Sequence, residues 1–209
     1  METITKMKTN DTDKTKTSEK ILKILVKEPF FEHTATSLSF SLGITRQGLW
    51  KTLNNLSKDK LISLKSIANI NRSAVKIDLE FKNLLTLKTL SLILTKEALN
   101  NERWRFELAE LEKYSYFIIL FGSILTSPKE ARDIDILAVL DKKNFKAIDE
   151  IKNKIQKTQS KEIHLIDLTK EEFKDELKKQ NKAYIDALKK GIILFGQDNF
   201  IKFIGEFKS

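Results

Sequence analysis

At 209 residues and 41% hydrophobic content, the chain is long enough for one large domain or two small ones and can bury a core. It has no cysteine and two histidines, which excludes a disulfide framework, a thiolate metal site and a histidine-rich metal cluster, so any metal must be held mainly by oxygen. The net charge of +9 is uneven, with 17 Lys and Arg against 10 Asp and Glu in residues 1–100 and 21 against 19 in residues 101–209, and the basic first half points to a polyanionic partner such as nucleic acid.

Taken in chain order, residues 1–17 form a polar, Thr- and Lys-rich basic tail, expected to be disordered and to add nonspecific attraction to nucleic acid. Ser18 can cap a first helix with an apolar stripe of Ile21, Leu22, Ile24 and Leu25, ended by Pro29. A second, short helix carries Leu38 and Leu42 one turn apart, and Gly43 stands where a left-handed C-terminal residue is wanted. Thr45 is a natural N-cap for a third helix, in which Leu49, Leu53 and Leu56 at i, i+4, i+7 define a buried face. The opposite face offers Arg46, Gln47, Trp50, Lys51 and Asn54.

Two strands follow, Leu61 to Ser66 and Ala74 to Leu79, with a hairpin tip around Asn69, Asn71 and Arg72. Two helices joined by a tight glycine turn, then a hairpin, resemble the winged-helix DNA-binding domains of small prokaryotic regulators. The resemblance places residues 18–82 in such a domain and implies that Arg46, Gln47, Lys51 and Asn54 enter a major groove of double-stranded DNA while Arg72 meets phosphate or the minor groove. Arg and Gln can make bidentate contacts to base edges, and Lys supplies phosphate charge. A polar helix face of this kind also serves protein contact, and Trp50 suits either use. Residues 83–114 read as a helical linker, with Leu84, Leu85, Leu87 and Leu90 and then Trp104, Leu108 and Leu111, whose apolar positions suit pairing across a dimer or, equally, packing on their own domain.

From Tyr116 the pattern becomes strand (Tyr116 to Phe121), loop, strand (Ile134 to Leu140), helix (Asn144 to Lys157), strand (Glu162 to Leu168) and helix (Lys170 to Lys190). Asp133 and Asp135 share one face of an otherwise apolar strand. Two like charges there repel, so a cation is expected between them. The longest apolar run, Tyr116 to Leu125, falls well short of the roughly 20 residues needed to span a bilayer. The expectation is a cytoplasmic protein with no membrane partner.

Gly122-Ser123, nine residues, then Asp133-Ile134-Asp135 resembles the core motif of the minimal nucleotidyltransferases of the DNA polymerase beta superfamily, and the closest likeness is to proteins in which such a domain follows a winged helix. The similarity runs to the closing segment "KKGIILFGQDNF" and assigns residues 115–209 to this domain. The implied fold is α/β (α+β), a small mixed sheet flanked by helices. Glycine lets a triphosphate approach the backbone, the next amide and the Ser123 hydroxyl can donate to phosphate oxygens, and Asp133 and Asp135 are hard ligands for one or two Mg²⁺ ions, a two-metal site being expected. The implied reaction transfers a nucleoside monophosphate from a nucleoside triphosphate such as ATP to a protein or small-molecule hydroxyl.

The chain departs from the family pattern in three places. Ile124-Leu125-Thr126-Ser127 replaces a small residue, Arg and Gly after the Gly-Ser, and Arg132 replaces a Ser before the first Asp. The third carboxylate usually lies on the neighbouring strand, where "IHLIDL" aligns His164. His164 can act as a general base but is a poor ligand for Mg²⁺. Glu162 and Asp167 are the alternatives for the third catalytic position. These departures leave open a second reading, a regulator whose nucleotidyltransferase fold only senses nucleotide or mediates dimerisation. Helix-turn-helix proteins commonly bind paired half-sites, which makes a homodimer the expectation.

Overall fold

The structure is a computed structural model and describes residues 16–69 and 72–208. Two compact units divide the chain, one ending at Leu90 and one running from Ser91.

In the first unit, helix α1 covers residues 16–27 and buries Ile21, Leu22, Leu25 and Val26. Ser18 therefore lies inside the helix and not at its cap, and Val26 replaces Ile24 in the stripe. The helix stops before the residue preceding Pro29, whose ring disfavours helical backbone there. Helix α2 spans Ala35–Leu42, with a reciprocal capping box between Thr34 and Ser37 at its start and Gly43 at φ 63° at its end. Helix α3 spans Arg46–Lys58; Thr45 accepts from the Gly48 N–H, and Leu49, Thr52, Leu53 and Leu56 are buried.

Strands β1 (Ile62–Asn69) and β2 (Arg72–Leu79) pair antiparallel, from Ile62 opposite Leu79 to Asn69 opposite Arg72. The strands run further toward the tip than the apolar pattern indicates, because ladder hydrogen bonds need no apolar side chains. Asn69 and Arg72 therefore belong to the strands, and Asn71 lies outside the described residues. A bridge between Thr34 and Lys76 adds the α2 entry to β2. Helix α4 (Leu84–Leu99) starts with Asn83, whose side chain accepts from the Leu85 N–H and donates to the Lys60 carbonyl.

The second unit is a mixed sheet between helices. Helices α5 (Glu102–Glu107) and α6 (Ala109–Glu112) lead into β3 (Phe117–Phe121); β4 (Asp133–Val139), α7 (Phe145–Gln156) and β5 (Glu162–Leu168) follow. The chain then forms α8 (Lys170–Lys178), α9 (Lys182–Lys190), β6 (Ile192–Phe195) and α10 (Gln197–Lys208). The strand order is β5-β4-β3-β6, with β3 antiparallel to both neighbours and β4 parallel to β5 across the α7 crossover.

Strand alternation gives the sheet two apolar faces. Ile118, Leu120, Ile134, Ile136 and Ala138 pack with Trp104, Leu108 and Leu111 from α5 and α6 and with Ile148 and Ile155 of α7. Residues read as linker thus supply part of this core. On the other face the Phe117 ring lies 5.5 Å from both Phe200 and Phe203, and Phe203 stacks on Phe173 of α8 at 5.4 Å. Full burial of Phe117 to Leu120 explains why β3 reads as a continuous apolar run.

The single helix expected from Lys170 to Lys190 is two helices. Gln180 adopts φ 54° and Asn181 caps α9 by accepting from the Ala183 N–H, so the break is made by a left-handed glutamine with no glycine to mark it. Among the described residues, no helix is long and apolar enough to cross a membrane.

Candidate active site

The C-terminal end of β3 and the N-terminal ends of β4 and β5 meet at one edge of the second unit's sheet. Asp135 stands opposite Phe121 on β3 and opposite His164 on β5, and Asp133 stands opposite Glu162. Because β4 and β5 run parallel in this register, Asp133, Asp135, Glu162 and His164 all project from the same face. Asp167 pairs with Ala138, an odd number of residues from Asp135, and so projects from the opposite face.

His164 Nδ1 lies 3.5 Å from Asp133 Oδ2 and 3.6 Å from Asp135 Oδ1, while its Nε2 lies 3.6 Å from Glu162 Oε2. Asp133, Asp135 and His164 each offer one ligand atom, and these atoms fall within 4.8 Å of one another. A cation of ordinary coordination radius can be shared by such a set. Burial, followed by the adjacent Asp133 charge, pushes the Asp135 carboxyl above the usual carboxylate range, with His164 acting in the opposite sense. Arg132, whose charge also suits the pair, is exposed; the nitrogen-bearing side chain within 4 Å of both carboxylates, among the described residues, is His164.

Gly122 is where the structure amends the sequence argument. It adopts φ 82° and ψ −167°, and a Cβ built on it would stand 2.0 Å from Asp135 Oδ2. The space that a side chain would take is thus filled by the Asp135 carboxylate, and glycine is required by that contact as well as by the backbone angle. Ser123 is exposed at the start of a 3-10 turn, Ser123–Leu125. Ile124 is buried in the core and Leu125 packs against it, which accounts for the apolar residues that follow the Gly-Ser: they anchor the loop.

One contributor carried no signal in the sequence. Lys161, at the entry to β5, donates through Nζ to the Ala131 carbonyl at the entry to β4 and so ties the starts of the two Asp- and His-bearing strands together. Glu162 reaches the far nitrogen of His164. The Lys161 tie depends on the β4–β5 register, which no local pattern encodes, whereas Glu162 shares a strand face with His164 by their two-residue spacing.

Residues 102–196 match the family model for a nucleotidyltransferase domain. The matched residues lie within the second unit. The match contains Gly122, Ser123, Asp133, Asp135, Glu162 and His164 and begins with α5, whose Trp104 lies in the same core. No curated protein and no solved structure matches the chain.

In the first unit, Arg46, Gln47, Lys51 and Asn54 are all exposed along α3, Trp50 is half-buried, and the leucine face is turned inward. Arg72 stands in β2 opposite Asn69, and its side chain lies outside the described residues.

Proposed function

We propose that the protein transfers a nucleoside monophosphate from a nucleoside triphosphate to a hydroxyl of a protein or small molecule, and that its first unit is a winged helix that binds double-stranded DNA. The observation that carries the enzymatic reading is the placement of Asp133 and Asp135 on one strand face beside Gly122, inside residues that match a nucleotidyltransferase domain.

The donor set suits a divalent cation held by Asp133 and Asp135, with Mg²⁺ the ion that two carboxylates alone would favour. Such an ion, when bound, neutralises phosphate charge and stabilises the oxygens that become negative during transfer. The protein's own part is placement. Gly122 keeps the Asp135 carboxylate where it is, and Ser123 offers an amide and a hydroxyl to phosphate oxygens at the mouth of the site. The acceptor oxygen forms a bond to the α-phosphorus, the bond from that phosphorus to the bridging oxygen of the β-phosphate breaks, and pyrophosphate leaves with the electron pair. The hydroxyl proton passes to solvent or to a neighbouring base.

For DNA, support comes from the basic first half and from the exposed Arg46, Gln47, Lys51 and Asn54 on a helix whose other face is buried. A homodimer on paired half-sites is part of this proposal. One observation favours the second reading, a regulator with an inactive domain: the residue that faces Asp135 from β5 is His164 and not a carboxylate.

Titration calorimetry tests the reading. ATP and the other nucleoside triphosphates, each with a divalent cation, are titrated into the wild type and into the Asp133→Asn, Asp135→Asn double variant. Cation-dependent binding by the wild type that the double variant lacks is expected. Absence of binding of any triphosphate by the wild type overturns it.

A further inference from the structure

We propose that His164 is a metal ligand through Nδ1, and that it turns the site from one suited to Mg²⁺ into a mixed nitrogen–oxygen site that prefers a divalent first-row transition-metal ion to Mg²⁺. The inference rests on the nucleotidyltransferase reading of this site and specifies which cation it takes.

Three features point the same way. His164 presents one ring nitrogen to both carboxylates at once, at 3.5 Å and 3.6 Å, the arrangement of three ligands around one point and not of a histidine paired with one partner. The opposite ring nitrogen faces a carboxylate, Glu162, at 3.6 Å. Metal-bound imidazoles recurrently turn their second nitrogen to a carboxylate, which fixes ring orientation and raises the basicity of the ligating nitrogen. Finally, β5 is an edge strand on which Glu162 and His164 are open to solvent, and the His164 side chain turns to the Asp pair while 49% exposed.

Ligand chemistry then decides the ion. Mg²⁺ favours oxygen and keeps its waters, whereas imidazole suits the later first-row ions, and affinity for nitrogen-containing sites rises from Mn²⁺ onward through the series. With Nδ1 committed to the metal, His164 is not the base for the acceptor hydroxyl. Glu162 is a positioning residue that acts through His164.

The test uses the full chain and two readouts that do not depend on turnover. Mn²⁺ and Mg²⁺ are titrated separately into wild type, His164→Asp, His164→Gln and Glu162→Gln, and the Mn²⁺ complexes are examined by pulsed electron paramagnetic resonance in nitrogen-free buffer. Wild type should show nitrogen hyperfine coupling from imidazole and bind Mn²⁺ at least about tenfold more tightly than Mg²⁺. His164→Asp should lose the coupling and most of the preference while still binding Mg²⁺, and Glu162→Gln should keep the coupling but weaken Mn²⁺ binding by about tenfold. Thermal melts confirm that the variants fold, which the exposed edge position of both residues favours.

Mn²⁺ bound by the wild type without nitrogen coupling, or with a preference that His164→Asp leaves unchanged, overturns the assignment of His164 and leaves the nucleotidyltransferase reading standing. If the wild type binds neither ion, with or without ATP, both fall together.

Discussion

Replacing Gly122 by alanine asks the second unit to accommodate a methyl group where a carboxylate oxygen already lies. An ideal Cβ would stand 2.0 Å from Asp135 Oδ2, 3.0 Å from Cγ and 3.2 Å from the Asp135 Cβ. Non-bonded heavy atoms settle at roughly 3.5 Å or more, so the carboxylate must swing away by about 1 Å or beyond. The backbone adds its own cost, because φ 82° with ψ −167° belongs to a region that only glycine populates freely, and a side chain there costs about 1–3 kcal/mol. A loss near 2 kcal/mol corresponds to a melting temperature lower by about 4–8 °C in a protein of this size. Scanning calorimetry measures that shift, and titration of Mn²⁺ or Mg²⁺ with ATP measures the displaced ligand. In an Asp135→Ala background the clash with the carboxylate is gone and only the backbone part and the 3.2 Å approach to the Cβ of residue 135 remain, so the two changes are non-additive. A Gly122→Ala protein that melts with the wild type and binds cation and nucleotide with wild-type affinity refutes the account of Gly122.

The other predictions concern charge and capping. Asp135 is held above the usual carboxylate range, chiefly by burial, so the folded state binds its proton more tightly than the unfolded chain does; that contribution is present below the ordinary carboxylate range and is lost as pH rises through the raised value. The metal-free Asp135→Asn variant should therefore gain stability relative to wild type as pH rises, and a difference in denaturation midpoint that does not change between about pH 3 and pH 7 contradicts this. Thr169 caps α8 in a capping box, and Thr169→Ala should cost about 1 kcal/mol by chemical denaturation; an unchanged midpoint speaks against the cap. Hydrogen bonds from Thr169 hold the Glu172 carboxyl low, so its contribution is present above the ordinary carboxylate range and is lost as pH falls through the lowered value; the gap between wild type and Glu172→Gln should close in acid. For the DNA proposal, Arg46→Ala with Lys51→Ala should weaken duplex binding and reduce the salt slope by about one for each phosphate no longer neutralised. Equal affinity across a salt series assigns the α3 face to a protein partner instead.

Much of the site could be read from the chain because it depends on short-range rules. Alternation along a strand puts Asp133 and Asp135 on one face whatever they pack against, and the unfavourable pairing of two carboxylates in an apolar segment already calls for a cation. The α3 face was legible for a similar reason: helical periodicity separates Leu49, Leu53 and Leu56 from Arg46, Gln47, Lys51 and Asn54. Where local signals were weak, the reading failed. Gln180 and Asn181 break one expected helix into α8 and α9 without glycine or proline.

By itself the sequence determined the capped helices Ala35–Leu42 and Arg46–Lys58, the apolar strands and the shared face of the Asp pair, because each follows from residue type and from a period of 3.6 or 2 within a few neighbours. Only the tertiary structure decided that His164 and not Asp167 meets that pair, and that Gly122 is held empty by the Asp135 carboxylate. Those relations hang on the β4–β5 and β3–β4 registers. A slip of one residue exchanges the faces of a whole strand, and register is chosen by the burial of side chains distant in the chain, which no local period records.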